Sequence, residues 1–458
     1  MPSMNDLGDF QPPPTAVSYT YDNGGRRLTM TVPGQSTVSY AWDNANRLTQ
    51  IAQGSSTVGF AYDNANRRTT LTLPNGVTVA YTYDSDSRVN GITYTAGSTQ
   101  LGNLSYSYDA DGRRTAAGGS LATVTLPASV SGTTTYNADN EQTKFNGASL
   151  SYDAAGQLTA DGANTYTWDA RHHLTAISGG ASASFIYDAF GRRMKKTISG
   201  VTTQFLYDRL NPVQELNGAT PPAVTANLLT GLRIDEYFTR SASGATSTLL
   251  PDALGSTIGL VGSGGSIATN YTYQPFGAVT TGGASNTNPY QFTGRENDAT
   301  GLYFYRARYY SPNFQRFVAQ DPIGFSGGEM NLYAYTRQDP IDRLDPLGLY
   351  TDYNFTAGYG IGFTLGVQCD SCGCHLYGGG GLTTPGVSGS VTGAPGGVTP
   401  GGQWGLQGTF IFAGQVGSSG SGRFAELGYG GPYGASLTGY YVTNWSFWKS
   451  SSPACGCQ

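Results

Sequence analysis

The sequence predicts an all-β protein built from repeated hairpins, and three observations carry that prediction. Gly (66 of 458 residues) and Tyr (32) stand where a helical protein carries Lys, Glu and Leu. Charged residues make up 12% of the chain, about half the usual share. An aromatic residue followed by Asp recurs down the chain at a nearly regular spacing.

Taken in order, the first stretch is expected to be a disordered tail, residues 1–18. Met1 to Thr15 shows no charged segment followed by an apolar one, so any export is expected to use a route other than a cleaved signal. No run of about 18 apolar residues occurs in the chain. The net charge of −5 and the lack of a basic run give no electrostatic footprint for nucleic acid.

The repeat follows. Its copies are Tyr21-Asp22, Trp42-Asp43, Tyr62-Asp63, Tyr83-Asp84, Tyr108-Asp109, Tyr152-Asp153, Trp168-Asp169, Tyr187-Asp188 and Tyr207-Asp208, usually 16 to 25 residues apart. Tyr136-Asn137 reads as a degenerate copy in the widest gap. Each pair leads into a polar turn and often a basic residue, as in Tyr21-Asp22-Asn23-Gly24-Gly25-Arg26. The Asp is expected to accept backbone N–H groups, and the Gly or Asn to take the position of positive φ. Flanking runs such as Thr78-Val79-Ala80-Tyr81-Thr82-Tyr83 alternate faces. Each unit is then one hairpin, which cannot bury its face alone, so copies should stack into a long sheet. His172 and His173 fall in one such turn and read as surface residues.

This array resembles the YD-repeat (RHS) family from Tyr19 to Leu349. The resemblance implies stacked hairpins curling into a shell, or part of one, around the chain's own C-terminal segment. It places repeats at 19–206 and an RHS-associated core at 207–349, where the spacing loosens. The core motifs include Asp252-Ala253-Leu254-Gly255-Ser256, Tyr273-Gln274-Pro275-Phe276-Gly277 and Phe292-Thr293-Gly294-Arg295-Glu296. Gly301-Leu302-Tyr303-Phe304-Tyr305-Arg306-Ala307-Arg308-Tyr309-Tyr310 follows, then Asp321-Pro322-Ile323-Gly324 and Asp345-Pro346-Leu347-Gly348-Leu349.

Two carboxylates brought together do not both ionise easily, so one keeps a proton and serves as acid while the other serves as base. The resemblance implies that Asp321 and Asp345 form such a pair and, with Arg308, cut the chain between Leu349 and Tyr350. Such a pair titrates jointly, so neither aspartate is assigned as the acid. One Asp-Pro-x-Gly is by itself only a good turn; two copies behind Arg308-Tyr309-Tyr310 at a break in composition point to cleavage. Asp339 reads as a turn residue, and Asp342 has no motif partner.

All five cysteines lie beyond the expected cut, in residues 350–458. This segment is Gly-rich with alternating stretches such as Phe363-Thr364-Leu365-Gly366-Val367, Gly408 to Ala413 and Tyr440 to Trp448, which read as strands. Its acid–base groups are few: Asp352, Asp370, Glu426, Arg423, Lys449 and His375. No nuclease, deaminase or serine hydrolase set is visible in it. Cys369, Cys372, Cys374, His375, Cys455 and Cys457 admit disulfides after release, a zinc site of weaker than usual spacing, or a reactive thiol, in that order. No other cofactor is expected.

The resemblance implies a polymorphic toxin, made in the bacterial cytoplasm and acting outside it or at the cell surface, with room for an immunity protein and a secretion machinery. Two other readings stay open. One is a surface β-repeat protein with an inert or adhesive tip. The other is a released segment that acts on membranes through β-structure, without catalytic groups.

Overall fold

The computed structural model describes residues 16–123, 125–127, 132–327 and 329–349. It also gives the backbone of the strands Asp352–Asp370, Gly373–Thr392, Gly401–Gln407, Gly417–Ser419, Gly422–Phe424 and Ser436–Ser446. The chain divides into two compact units, one of residues 1–320 and 333–348, the other of 321–332 and 349–458.

Two antiparallel meanders dominate the first unit. Ten strands run in strict sequence order from Ser18–Tyr21 to Arg114–Gly118, and fourteen from Ser151–Tyr152 to Val279–Gly283. This is the stacked-hairpin sheet that the repeat predicts.

The turn at Asp43 shows how each copy is built. Its Oδ1 accepts the N–H groups of Ala45 and Arg47, both at 2.9 Å. Its Oδ2 accepts from Arg47 Nε at 2.7 Å, and Asn46 takes the left-handed position at φ 61°. The turn adds one residue to the strand, so pairing slips between Ala41 and Trp42 and brings Trp42 opposite Leu48. The aromatic then reaches back to the preceding copy. Trp42 Nε1 donates to the Arg27 carbonyl at 2.8 Å, Tyr62 to Leu48 at 2.8 Å, Tyr83 to Arg68 and Tyr108 to Val89 at 2.7 Å. The turn arginine leans forward onto the next aromatic: Arg67 lies 4.7 Å from the centre of Tyr83 and Arg88 4.8 Å from that of Tyr108. Tyr, Asp and Arg recur together because the Asp fixes each turn while the aromatic and the Arg tie one hairpin to its neighbours.

Degenerate copies keep the geometry with changed chemistry. At Asn137 the side-chain bond is reversed, its amide donating to Glu141 at 2.7 Å, while the N–H groups of Asp139 and Glu141 still donate to Asn137 Oδ1. His172 takes the left-handed position at φ 66°. His173 occupies the arginine position, half-buried, 3.1 Å from Asp169 and stacked 4.6 Å from Tyr187. Asp208 departs altogether. Its strand, Val201–Asp208, turns directly into Asn211–Asn217, and its carboxylate leaves the turn for the core.

The expected boundary at 206/207 falls inside that strand, and the sheet continues through it. The repeat turn also persists where the spacing suggested it had stopped. Gly255, Gly277 and Gly294 sit at φ 81°, 86° and 73°, three residues after Asp252, Gln274 and Gln291. The N–H of each of those three makes the same pairing, donating to the carbonyl of the residue four further on. Glutamine in place of aspartate hid two copies.

The inner faces of the two meanders share one core. Ile51, Val58, Val77, Val79 and Ile92 of the first pack with Val213, Leu229, Phe238, Leu250 and Val261 of the second, and Phe60 meets Phe238 edge-on at 5.8 Å. Buried polar ties cross the same interface. Arg27 grips Asp208 with two bonds of 2.5 and 2.9 Å, Tyr19 donates to Asp208 at 2.9 Å, and Arg68 meets Glu236 at 2.7 Å.

In the second unit the sheet order of the C-terminal strands is Asp352–Asp370, Gly373–Thr392, Ser436–Ser446, Gly401–Gln407. The expected strands at Phe363 to Val367 and from Tyr440 to Ser446 lie within it, while Gly408 to Ala413, Phe447 and Trp448 lie outside the described residues.

Candidate functional site

The short strands Tyr303–Tyr305 and Arg308–Ser311 form a hairpin in a four-stranded sheet with Glu296–Asn297 and Arg316–Phe317. Tyr303, Tyr305, Tyr310, Phe317 and Tyr335 bury completely against Phe292, and Tyr305 bonds to Tyr335 (3.1 Å) and Thr293 (2.8 Å) through its hydroxyl. Burial pushes these phenols well above their ordinary range, so they act here as hydrogen-bonding wedges, not as acids. A second buried network ties the sheet to the repeats. Arg193, fully buried, pairs with Glu296 at 2.7 Å and with Asp298, and Lys196 reaches both at 3.2 and 2.9 Å.

This rigid hairpin presents its tip, Arg306-Ala307, to the segment that precedes the expected cut. The Ala307 N–H donates to the Leu347 carbonyl at 3.1 Å. Arg306 donates to the Pro346 carbonyl, and Arg308 Nε to the Gly348 carbonyl. Three successive carbonyls are therefore held by three successive residues. The segment turns at Asp345, whose carbonyl accepts the Gly348 N–H at 3.3 Å. Gly348 adopts φ 64°, and a Cβ there would lie 2.4 Å from the Tyr305 carbonyl oxygen. Only glycine fits that approach.

Arg308 is the hub of the arrangement. Its Nη2 lies 3.3 Å from Asp345 Oδ2 with both side chains buried, and its guanidinium sits 3.6 Å from the centre of the Phe317 ring. A buried guanidinium stays charged and favours an ionised carboxylate or a developing oxyanion beside it. The structure thus brings together two of the expected site residues, Arg308 and Asp345.

Asp321 belongs to the other unit. It is buried, its Oδ1 accepts the Ile323 N–H at 3.0 Å, its carbonyl accepts the Gly324 N–H at 2.8 Å, and its own N–H donates to Leu332. Its Asp-Pro-x-Gly is thus also a well-formed turn. Leu349 is half-buried and opens the second unit, one residue past the end of the first. Tyr350, Cys372, Cys455 and Cys457 lie outside the described residues. Cys369 and Cys374 are register partners across the first C-terminal hairpin, with His375 next to Cys374 and opposite Gln368.

Sequence reasoning missed two residues. Arg306 carries no motif signal beyond standing two before Arg308, and Asp235 none at all. Asp235 accepts from Arg306 at 2.7 and 3.0 Å and from Arg295 at 2.5 Å. Asp342, which had no sequence partner, receives the Arg114 N–H at 3.0 Å and docks its segment on the first sheet. Asp339 pairs with Arg343 across a turn at 3.3 Å.

Residues 7–109 and 78–341 match the family model described as Teneurin YD-shell. The tRNA3(Ser)-specific nuclease WapA of Bacillus spizizenii is 32% identical over 269 residues, 56% of this chain and 11% of that protein. Toxin subunit YenC1 of Yersinia entomophaga is 37% identical over 90 residues, 19% of this chain and 9% of that protein. The crystal structure of TcdB2-TccC3 superposes with a TM-score of 0.56 at 21% identity, over 73% of this chain and 22% of that one. The chain therefore spans a small part of the length of the relatives it matches.

Proposed function

The chain belongs to the Teneurin YD-shell family of YD-repeat (RHS) proteins, and on that premise we propose that it is the shell and core of a polymorphic toxin that cuts itself after Leu349. Residues 19–206 are the repeats, 207–349 the core, and 350–458 the cargo. The observation that carries this reading is the pairing of Arg308 with Asp345 on a hairpin tip that also holds Pro346, Leu347 and Gly348 by their carbonyls.

In the reaction, water adds to the Leu349 carbonyl carbon as one carboxylate of the Asp321 and Asp345 pair takes its proton. Arg308 steadies negative charge on the tetrahedral oxygen or on Asp345. The other carboxyl group gives its proton to the Tyr350 nitrogen as the C–N bond breaks. The products are a new carboxylate at Leu349 and a free amine at Tyr350. No side reaction on other proteins is expected, because the substrate is held by its own chain.

Relatives named as toxins and nucleases support a cargo that acts on other cells. Delivery by a secretion machinery, action outside the producing cell, and protection of siblings by an immunity protein follow as parts of the same proposal. Growth measures it: the full chain with Asp345→Asn should be harmless to the producing cell, whereas residues 350–458 expressed alone should stop growth. Dye leakage in those cells would mark a membrane-active cargo, and unimpaired growth would favour an inert tip.

A further inference from the structure

We propose that Arg306, anchored by Asp235, is a positioning residue for this cleavage. It fixes the Pro346 carbonyl so that the chain enters the scissile bond in one conformation. The inference rests on the self-cleavage reading above.

Three features single out this pair. First, Arg306 is held on both sides. Its guanidinium donates twice to the Asp235 carboxylate, at 2.7 and 3.0 Å, once to the Leu210 carbonyl at 3.1 Å, and once to the Pro346 carbonyl. Second, Asp235 is itself fixed. Arg295 pairs with it at 2.5 Å, the Asn211 side chain accepts its N–H at 2.8 Å, and Gly294 packs so closely that a Cβ there would lie 2.9 Å from the Asp235 Cβ. Third, Arg306 occupies left-handed backbone at φ 63°, a region that residues other than Gly, Asn and Asp seldom adopt, while Asp235, at φ 60°, is of a type that adopts it readily. Strain of this kind persists where the surroundings over-determine it, and it gathers at functional sites.

The pairing has a chemical reason. A peptide segment offers a planar carbonyl, and a guanidinium clamped by a carboxylate presents its remaining N–H along one fixed line. With Ala307 and Arg308 on the following carbonyls, the hairpin tip holds Pro346, Leu347 and Gly348 as a binding cleft would hold the residues before a cut. Neither Arg306 nor Asp235 is proposed to touch the reacting atoms.

The test follows cleavage of the full chain over time during cell-free synthesis, across a pH series, with thermal unfolding of the purified products. Arg306→Ala is expected to slow cleavage about 100-fold, the usual consequence of a shift of about 1 Å in a reacting group, and Asp235→Asn to slow it in the same sense. Arg306→Lys should recover part of the rate, since it restores one donor. The shape of the pH dependence should stay that of the wild type because Asp321 and Asp345 are untouched. Wild-type rates in Arg306→Ala and Asp235→Asn beside a cutting wild type would overturn the inference and leave self-cleavage standing. An equal loss in Arg306→Lys with a lowered thermal midpoint would also overturn it, in favour of simple structural support. An uncut wild type would remove the self-cleavage reading and this inference with it.

Discussion

Replacing Asp208 by Asn tests how the two sheets are joined. The Arg27 and Asp208 side chains are 4% and 5% exposed, and their bidentate contact spans 181 residues of sequence. Tyr19 adds a third bond to the carboxylate, and the guanidinium lies 4.5 Å from the Tyr19 ring and 5.5 Å from Tyr40. Burial and the neighbouring Asp208 charge push the Tyr19 phenol up, so it donates to Asp208 at any physiological pH. Asn keeps the shape but removes the charge and turns one of the two accepting oxygens into an NH2 donor, leaving Arg27 buried without its counter-ion. Breaking a buried pair in this way costs about 3–5 kcal/mol. With a denaturant slope of about 3 kcal/mol/M in urea, the midpoint of the transition should fall by about 1 M or more. The double variant Arg27→Met with Asp208→Leu removes both charges and should regain most of the loss, since an apolar pair of similar volume is often neutral or better. Equilibrium urea unfolding followed by tryptophan fluorescence reads both. A midpoint unchanged in Asp208→Asn, or a double variant worse than the single, would refute the view that this pair is a buried tie between the sheets.

Gly348→Ala should leave the chain folded and reduce cleavage by more than about 100-fold, because any relief of the 2.4 Å contact with the Tyr305 carbonyl moves the held segment; wild-type cleavage on a gel time course would contradict the described clamp. At the repeat turns, Asp63→Ala removes the acceptor of two backbone N–H groups, whereas Arg67→Gln removes a partly exposed ion pair worth little. Asp63→Ala should therefore lower the thermal midpoint more, and the reverse order would be contrary evidence. Acid should destabilise the protein in a defined window. Burial alone would raise Glu296, but Arg193, Lys196 and Arg295 hold its folded value down from 4.5 to about 2. Glu236, half-buried, is likewise held below 4.5 by Arg68 and Arg233 against the effect of its burial. A depressed carboxylate stabilises the fold above its unfolded value, and that stability drains as pH falls from about 4.5 through about 2. The midpoint should stay level down to about pH 5 and fall below it, with a smaller fall in Glu296→Gln; a level midpoint down to pH 2 would be inconsistent with the network.

The repeat was legible because its physics is local. Aspartate, left-handed residue and arginine lie within four positions of one another, so the turn at Asp43 or Asp188 can be read from the string alone. Copies at Gln274 and Gln291 escaped because amide replaced carboxylate while the glycine three residues on kept the geometry. Contacts between distant segments carry no such signature. Nothing near Tyr207-Asp208 marks that carboxylate as the partner of Arg27, and nothing near Arg193 marks it as the partner of Glu296 and Asp298. At the candidate site, Arg308 and Asp345 were found through their motifs. Arg306 and Asp235 emerge only where the hairpin tip, a second strand end and the Asp345 turn converge.

The most direct measurement is the intact mass and N-terminal sequence of the purified full-length protein beside its Asp345→Asn and Asp321→Asn variants. Self-cleavage predicts a wild-type fragment that begins at Tyr350 and is missing from both variants. An uncut wild-type chain, or a fragment that persists in both variants, would contradict it.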